Sequence, residues 1–149
     1  MYEVRQLRSG DSAALRTMLA VFAEAFESPE DSQSNPPSDT YLRELLANPN
    51  FIALIAERDG AAVGGLAGYV LPKFEQERSE FYIYDLAVLE QHRRQGVASA
   101  LIETLKAECK ARHVWVIYVQ ADYGDDAAIA LYTKLGVREN VMHFDLRME

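Results

Sequence analysis

The sequence predicts an α/β domain, of the α+β kind, with a mixed, mostly antiparallel central sheet and helices on both of its faces. Three observations carry the prediction. Two apolar, β-capable runs, Phe51 to Glu57 and Ala62 to Val70, are joined by Arg58-Asp59-Gly60, a turn sequence suited to a tight antiparallel hairpin. The strand-like segment Glu80 to Val88 is followed by an amphipathic helical pattern and then by the apolar run Val114 to Val119. That order implies parallel pairing through a right-handed crossover. A chain of 149 residues that is 49% hydrophobic also suits one core, hence a single domain over residues 1–149 that needs no disulfide.

The elements follow in order. Tyr2 to Leu7 alternates weakly and reads as a first strand, and Ser9-Gly10-Asp11 supplies a turn with Asp11 as helix cap. Leu15, Met18, Leu19, Phe22 and Phe26 then recur at helical spacing and form one apolar stripe. Ser28 to Ser38 contains Pro29, Pro36 and Pro37, which excludes a regular element. Tyr41, Leu42, Leu45 and Leu46 make a short helix that Asn48-Pro49 stops. In the hairpin, Gly64, Gly65 and Gly68 mark bulges or close packing. After a polar connection from Leu71 to Ser79, the strand Glu80 to Val88 leads toward a helix with Val97, Ala98, Leu101, Ile102, Leu105 and Cys109 on its inner face. Val114 to Val119 reads as a buried strand. Asp125 caps a last helix carrying Ile129, Leu131, Tyr132 and Leu135, Gly136 stands at the place of a left-handed C-cap, and Val137 to Leu146 closes in short extended segments.

Charge and composition narrow the function. A net charge of −8 argues against nucleic acid and against an acidic membrane as partners, and favours a cationic ligand. No apolar run approaches the roughly 18 residues of a membrane span. With a lone Cys109 in an apolar helical pattern, a reducing, cytoplasmic setting is expected. His92, His113 and His143 are far apart with no cysteine cluster, so no metal is expected.

The candidate ligand site lies at Glu90 to Leu101, EQHRRQGVASAL, where Arg93-x-x-Gly96-x-Ala98 opens the central helix. N–H groups at a helix start lack intrahelical partners and sit at the positive end of the helix dipole, so they hold phosphate oxygens. Gly96 lets the backbone come close, Ala98 is small enough for the same purpose, and Arg93 and Arg94 add charge-assisted contacts. The segment is no GxxxxGK[ST] loop, which disfavours a P-loop nucleotide-hydrolysing enzyme.

Strand YIYDLAV, turn QHRRQGVA, strand VIYVQA and helix AAIALYTKLG, in that order, resemble the GCN5-related N-acetyltransferase (GNAT) superfamily over nearly the whole chain. Within it, FIALIAE, YVLPKFEQERSE, YIYDLAV, HRRQG, VIYVQADYGDD, ALYTKLG and VMHFD look like the aminoglycoside 3-N-acetyltransferases that modify gentamicin-type antibiotics. The resemblance implies the GNAT fold with a splayed parallel strand pair, acetyl-CoA as donor, a 2-deoxystreptamine aminoglycoside as acceptor, antibiotic resistance, and a homodimer. It further implies that main-chain groups of Leu86, Ala87 and Val88 pair with the pantetheine arm. The pyrophosphate would lie on the amides of Arg94, Gln95, Gly96, Val97 and Ala98, with Ser99 nearby and Arg93 in the motif's Arg or Gln position. Members often carry Asn at the start of the next helix; this chain has Asp125 and Asp126 there, which puts a donor contact at that point in doubt.

Acyl transfer to an amine requires a neutral nucleophile, a stabilised oxyanion and a proton for the departing thiolate. Tyr132 matches the superfamily tyrosine that approaches the CoA sulfur and reads as the general acid. Asp85 interrupts an apolar strand one residue before the proposed oxyanion amide at Leu86 and is the candidate base, with Glu80 acting through a water as the alternative. Asp122, Asp125 and Asp126, crowded around a glycine turn in ADYGDD, suit an acceptor with several ammonium groups, although Asp125 and Asp126 are also natural helix caps. Tyr82, Tyr84, Tyr118 and Tyr123 lack a motif match and read as packing or rim residues, with Tyr123 at the rim of the acceptor loop. Glu27, Glu30 and Asp31 are weaker candidates for an opposite wall. Two rival readings keep the donor site: an acetyltransferase for another polyamine, peptide or small amine, and a non-catalytic acyl-CoA sensor.

Overall fold

A computed structural model describes residues 1–27 and 35–148; Pro29, Glu30 and Asp31 lie outside them. Its order is β1 (Glu3–Gln6), α1 (Ser12–Ala25), α2 (Asp39–Ala47), β2 (Phe51–Arg58), β3 (Ala61–Pro72), β4 (Ser79–Val88), a 3-10 turn (Glu90–His92), α3 (Val97–Ala111), β5 (Val114–Val119) and α4 (Asp126–Leu135). The strands stand in sequence order, antiparallel from β1 to β4, while β5 joins β4 in parallel after the α3 crossover. The expected mixed sheet is therefore formed.

Local chemistry explains the joints. Asp59 and Gly60 have φ of 52° and 80°, the positive pair that a two-residue type I′ hairpin turn demands. Ser38 caps α2 by accepting the Tyr41 amide at 3.1 Å. Asp11 occupies the cap position of α1 but caps no helical amide. Its Oδ2 accepts the Arg8 N–H at 2.7 Å, so the carboxylate closes the preceding turn instead.

One face of the sheet buries Phe51, Ala53, Ile55 and Ala87 against Leu15, Met18 and Phe22 of α1 and Leu42 of α2. On the other face, Ile52, Leu54, Leu66, Phe81 and Ile83 are buried, as are Leu101 and Leu105 of α3, which packs on β2, β3 and β4. Each large apolar side chain so enclosed contributes about 1.5–3 kcal/mol. Phe26, expected on the α1 stripe, is exposed just past the helix end.

The glycines of β3 mark close packing. A Cβ at Gly65 would meet Met18 Cγ at 2.6 Å, and one at Gly68 would lie 2.2 Å from the Tyr82 carbonyl oxygen. Only a hydrogen fits at either place.

Contacts gather into two compact units, residues 1–119 and 120–149. The first holds the sheet with α1 to α3; the second holds α4 and the C-terminal segment. Two expectations change. β5 is only partly buried, with Trp115 and Tyr118 exposed, because among the described residues it is an edge strand paired with β4 alone. Gly136 is extended, with φ −149°, and donates its N–H to the Tyr132 carbonyl at 2.9 Å, so α4 ends without a left-handed residue. No strand pairing forms over 137–148.

Candidate active site

β4 and β5 pair only from Ser79 to Ile83. Beyond Ile83, β4 continues to Val88 while β5 has ended at Val119, so the side of β4 that faced β5 opens into a slot. Main-chain direction alternates along a strand. Leu89 donates to Val63 across β3, which turns Ala87 toward β3 as well and leaves Leu86 and Val88 facing the slot. Of the three residues expected to pair with a pantetheine arm, Ala87 thus belongs to the β3 ladder. The Val88 carbonyl already accepts Arg93 Nε at 2.9 Å.

The helix start beyond the slot is built for an anion. Gly96 caps α3 with φ 81°, Arg94 also takes a left-handed φ of 62°, and the first helical bond runs from Ala100 N–H to the Gly96 carbonyl. The N–H groups of Val97, Ala98 and Ser99 therefore stand ahead of the first intrahelical donor, with nothing within 4 Å of a Cβ built at Gly96. Such a donor set suits an anion.

Arg93 is engaged in holding the turn: besides Val88, its guanidinium reaches the Ala25 carbonyl at 3.4 Å. Tyr2 holds the same turn from the other side. Its hydroxyl donates to Gln95 Oε1 at 2.6 Å, accepts from Arg58 at 3.3 Å and lies 3.0 Å from His92 Nδ1. Sequence reasoning missed Tyr2, ninety residues away from its partners, because only the β1 position brings it there.

Asp85 stands at the mouth of the slot, one residue before Leu86. Asp85 pairs with Ala67 and Ile83 with Gly68, leaving Tyr84 as an extra residue in a β-bulge. The bulge brings Tyr82 and Asp85 to one face although they are three residues apart, since their β3 partners Tyr69 and Ala67 share that face. Desolvation raises the Asp85 pKa above the usual carboxylate range, and no cation offsets it. Such a carboxylate is a better proton acceptor than a surface aspartate. Glu80, on the same strand, has Lys73 Nζ at 3.8 Å.

Within residues 120–149, Asp125 caps α4 by accepting the Ala128 N–H at 3.3 Å, and Asp126 is the first helical residue. Asp122 closes the turn before it through its carbonyl, which accepts the Asp125 N–H at 3.2 Å. Tyr123 is exposed, with Arg138 5.9 Å from its ring centre. Tyr132 lies mid-helix in α4. Cys109 is buried on α3 and its thiol is pushed up to about 11, which removes it as a nucleophile near neutral pH.

The model of the acetyltransferase (GNAT) family matches residues 16–137, which take in the slot, the α3 start and Tyr132. The chain belongs to the GNAT family. Among solved structures, an aminoglycoside acetyltransferase from an uncultured soil metagenomic sample is 53% identical, with a TM-score of 0.98 over 100% of this chain and 99% of that one. A second aminoglycoside acetyltransferase from an uncultured soil metagenomic sample, solved in complex with sisomicin, is 29% identical, with a TM-score of 0.92 over 99% of this chain and 97% of its own. An N-alpha-acetyltransferase of Sulfurisphaera tokodaii is 32% identical over 96 residues, 57% of this chain; the chain spans about half the length of that relative, 55%.

GNAT acetyltransferases use acetyl-CoA. The open edge of β4 suits an amide-bearing arm that adds as a strand, and the α3 start suits the diphosphate at its far end. Asp85 stands on the same strand, one residue before Leu86.

Proposed function

We propose that this acetyltransferase moves the acetyl group of acetyl-CoA to the 3-amino group of a 2-deoxystreptamine aminoglycoside of the gentamicin type, within a ternary complex, and so confers resistance. The observation that carries the reading is Asp85, a desolvated carboxylate one residue before the open backbone of Leu86. The aminoglycoside acetyltransferases among its structural neighbours support the acceptor class. In this reading Asp85 accepts the proton that the amine loses as its lone pair attacks the acetyl carbonyl. The Leu86 amide holds the oxyanion, the carbon–sulfur bond breaks, and the Tyr132 hydroxyl gives the departing thiolate a proton. Glu80 relays through water if Asp85 only holds the amine.

Arg94 to Ser99 carry the diphosphate, while Asp122, Tyr123, Asp125 and Asp126 gather the acceptor's ammonium groups. The protein works as a cytoplasmic homodimer. The S. tokodaii N-alpha-acetyltransferase favours a second reading, transfer to a peptide amine.

Release of CoA thiol, measured with gentamicin, spermidine and a short peptide in turn, decides between them. A preference for gentamicin supports the first reading, and release that no acceptor stimulates contradicts both. Tyr132→Phe should lower kcat about tenfold or more while acetyl-CoA affinity stays within about twofold; an unchanged kcat removes Tyr132 as the acid.

A further inference from the structure

Four of the chain's eight tyrosines meet on one face of the sheet, and Tyr41 of α2 lies near them, all within residues 1–119. Tyr82 of β4 stacks on Tyr118 of β5 with ring centres 4.9 Å apart and planes 20° apart. Tyr84 stands edge-on to both Tyr82 and Tyr69, at 5.9 and 6.0 Å, and Tyr69 packs against Phe51 at 5.4 Å. Tyr41 of α2 is near enough to Tyr69 to influence its phenol.

Packing accounts for only part of this group: Tyr69 is half-buried against the core beside Phe51. Tyr41 and Tyr84 are 60% and 63% exposed and Tyr118 is exposed as well, so those three rings line a surface. The surface carries opposite charge to a polycation. Asp85 lies beside Tyr69 and Tyr82, and Glu80 beside Tyr118, so carboxylates stand along the aromatic strip. Desolvation first, and neighbouring phenols and carboxylates second, raise the Tyr69 and Tyr82 phenols above their ordinary range, so both rings are uncharged.

We infer that Tyr41, Tyr69, Tyr82, Tyr84 and Tyr118 seat the ring of a cationic acceptor, and that Tyr84 distinguishes a ring-bearing polyamine from a linear one. The inference rests on the proposed acetyl transfer to aminoglycosides and names how that same site selects its substrate. An aminosugar or aminocyclitol offers a flat C–H face for the aromatic rings and ammonium groups at its rim for Asp85 and Glu80. A linear polyamine answers the carboxylates but brings no ring to cover the strip. The β4 bulge adds Tyr84 to the strip beside Tyr69 and Tyr82, and its high exposure means that replacing it removes little from the core.

Calorimetric titration of the CoA-saturated protein with sisomicin and with spermidine tests the inference. Tyr84→Ala should weaken sisomicin about fivefold or more and spermidine by less than half that factor, whereas Tyr84→Phe should restore most of the sisomicin affinity. Tyr118→Ala should act in the same direction. Unchanged sisomicin affinity in Tyr84→Ala, or an equal loss for both ligands, overturns the inference, as does wild-type protein that prefers spermidine or binds neither. If wild type binds sisomicin in the expected pattern yet transfers no acetyl group to it, the proposed function fails while the seat stands. If it acetylates sisomicin and Tyr84→Ala binds it normally, the seat fails while the function stands.

Discussion

Asp85 illustrates what a site residue costs the fold that carries it. Desolvation raises its folded-state pKa above its unfolded value, so ionising the carboxylate is harder in the native state. The penalty is absent below the unfolded pKa and complete above the folded one, and stability conferred by Asp85→Asn must follow that course. We expect Asp85→Asn to gain roughly 0.5–2 kcal/mol of stability at neutral pH, shrinking to nothing at the acid end of the carboxylate range, while turnover falls. Chemical denaturation of both proteins across pH checks this. A stability difference that grows on acidification would contradict it.

Tyr2 acts through other residues. It fixes Gln95 and His92, and through them the turn ahead of α3, so its effect should appear in donor binding and not in chemistry. Tyr2→Phe keeps the ring that packs edge-on against His92 at 5.8 Å and removes only the hydroxyl. Steady-state kinetics should show the acetyl-CoA KM raised about three- to tenfold with kcat nearly unchanged, corresponding to about 1 kcal/mol of lost hydrogen bonding. A fall in kcat with constant KM would place Tyr2 in a different role.

The turn and the helix it opens depend on one backbone geometry. Gly96 takes φ 81°, and a side chain there costs about 1–2 kcal/mol even with open space around it. Gly96→Ala should therefore lower the melting temperature modestly and raise the acetyl-CoA KM more than the acceptor KM; equal effects on both would separate the α3 start from donor binding. This element was legible in the sequence because helix starts and glycine turns are local. The type I′ hairpin and the buried stripe of α3 were legible for the same reason.

Elements whose character depends on neighbours were less so. Val114 to Val119 is apolar enough for a central strand, yet its burial depends on what lies on its second side, which no residue in the run encodes. Asp11 and Asp125 look alike as caps in sequence. Only the latter bonds a helical amide, because Arg8 N–H competes for the former.

In the molecule as a whole, acidic charge and aromatic surface converge where the sheet opens. The net charge of −8 suggested a cationic ligand from the outset, but not its shape. In sequence Tyr82, Tyr84 and Tyr118 read as packing or rim residues, because their shared face is set by a bulge in β4 and by the pairing of three strands. A single-residue shift in register would have scattered them to opposite sides.

The most direct test of the account is the product itself. Purified protein incubated with acetyl-CoA and sisomicin should yield a singly acetylated antibiotic whose new amide, located by two-dimensional NMR, lies on the 3-amino nitrogen of the deoxystreptamine ring. Acetylation at another nitrogen would contradict the assigned acceptor position. Recovery of unmodified sisomicin with no acceptor-dependent CoA release would contradict the transfer reaction altogether.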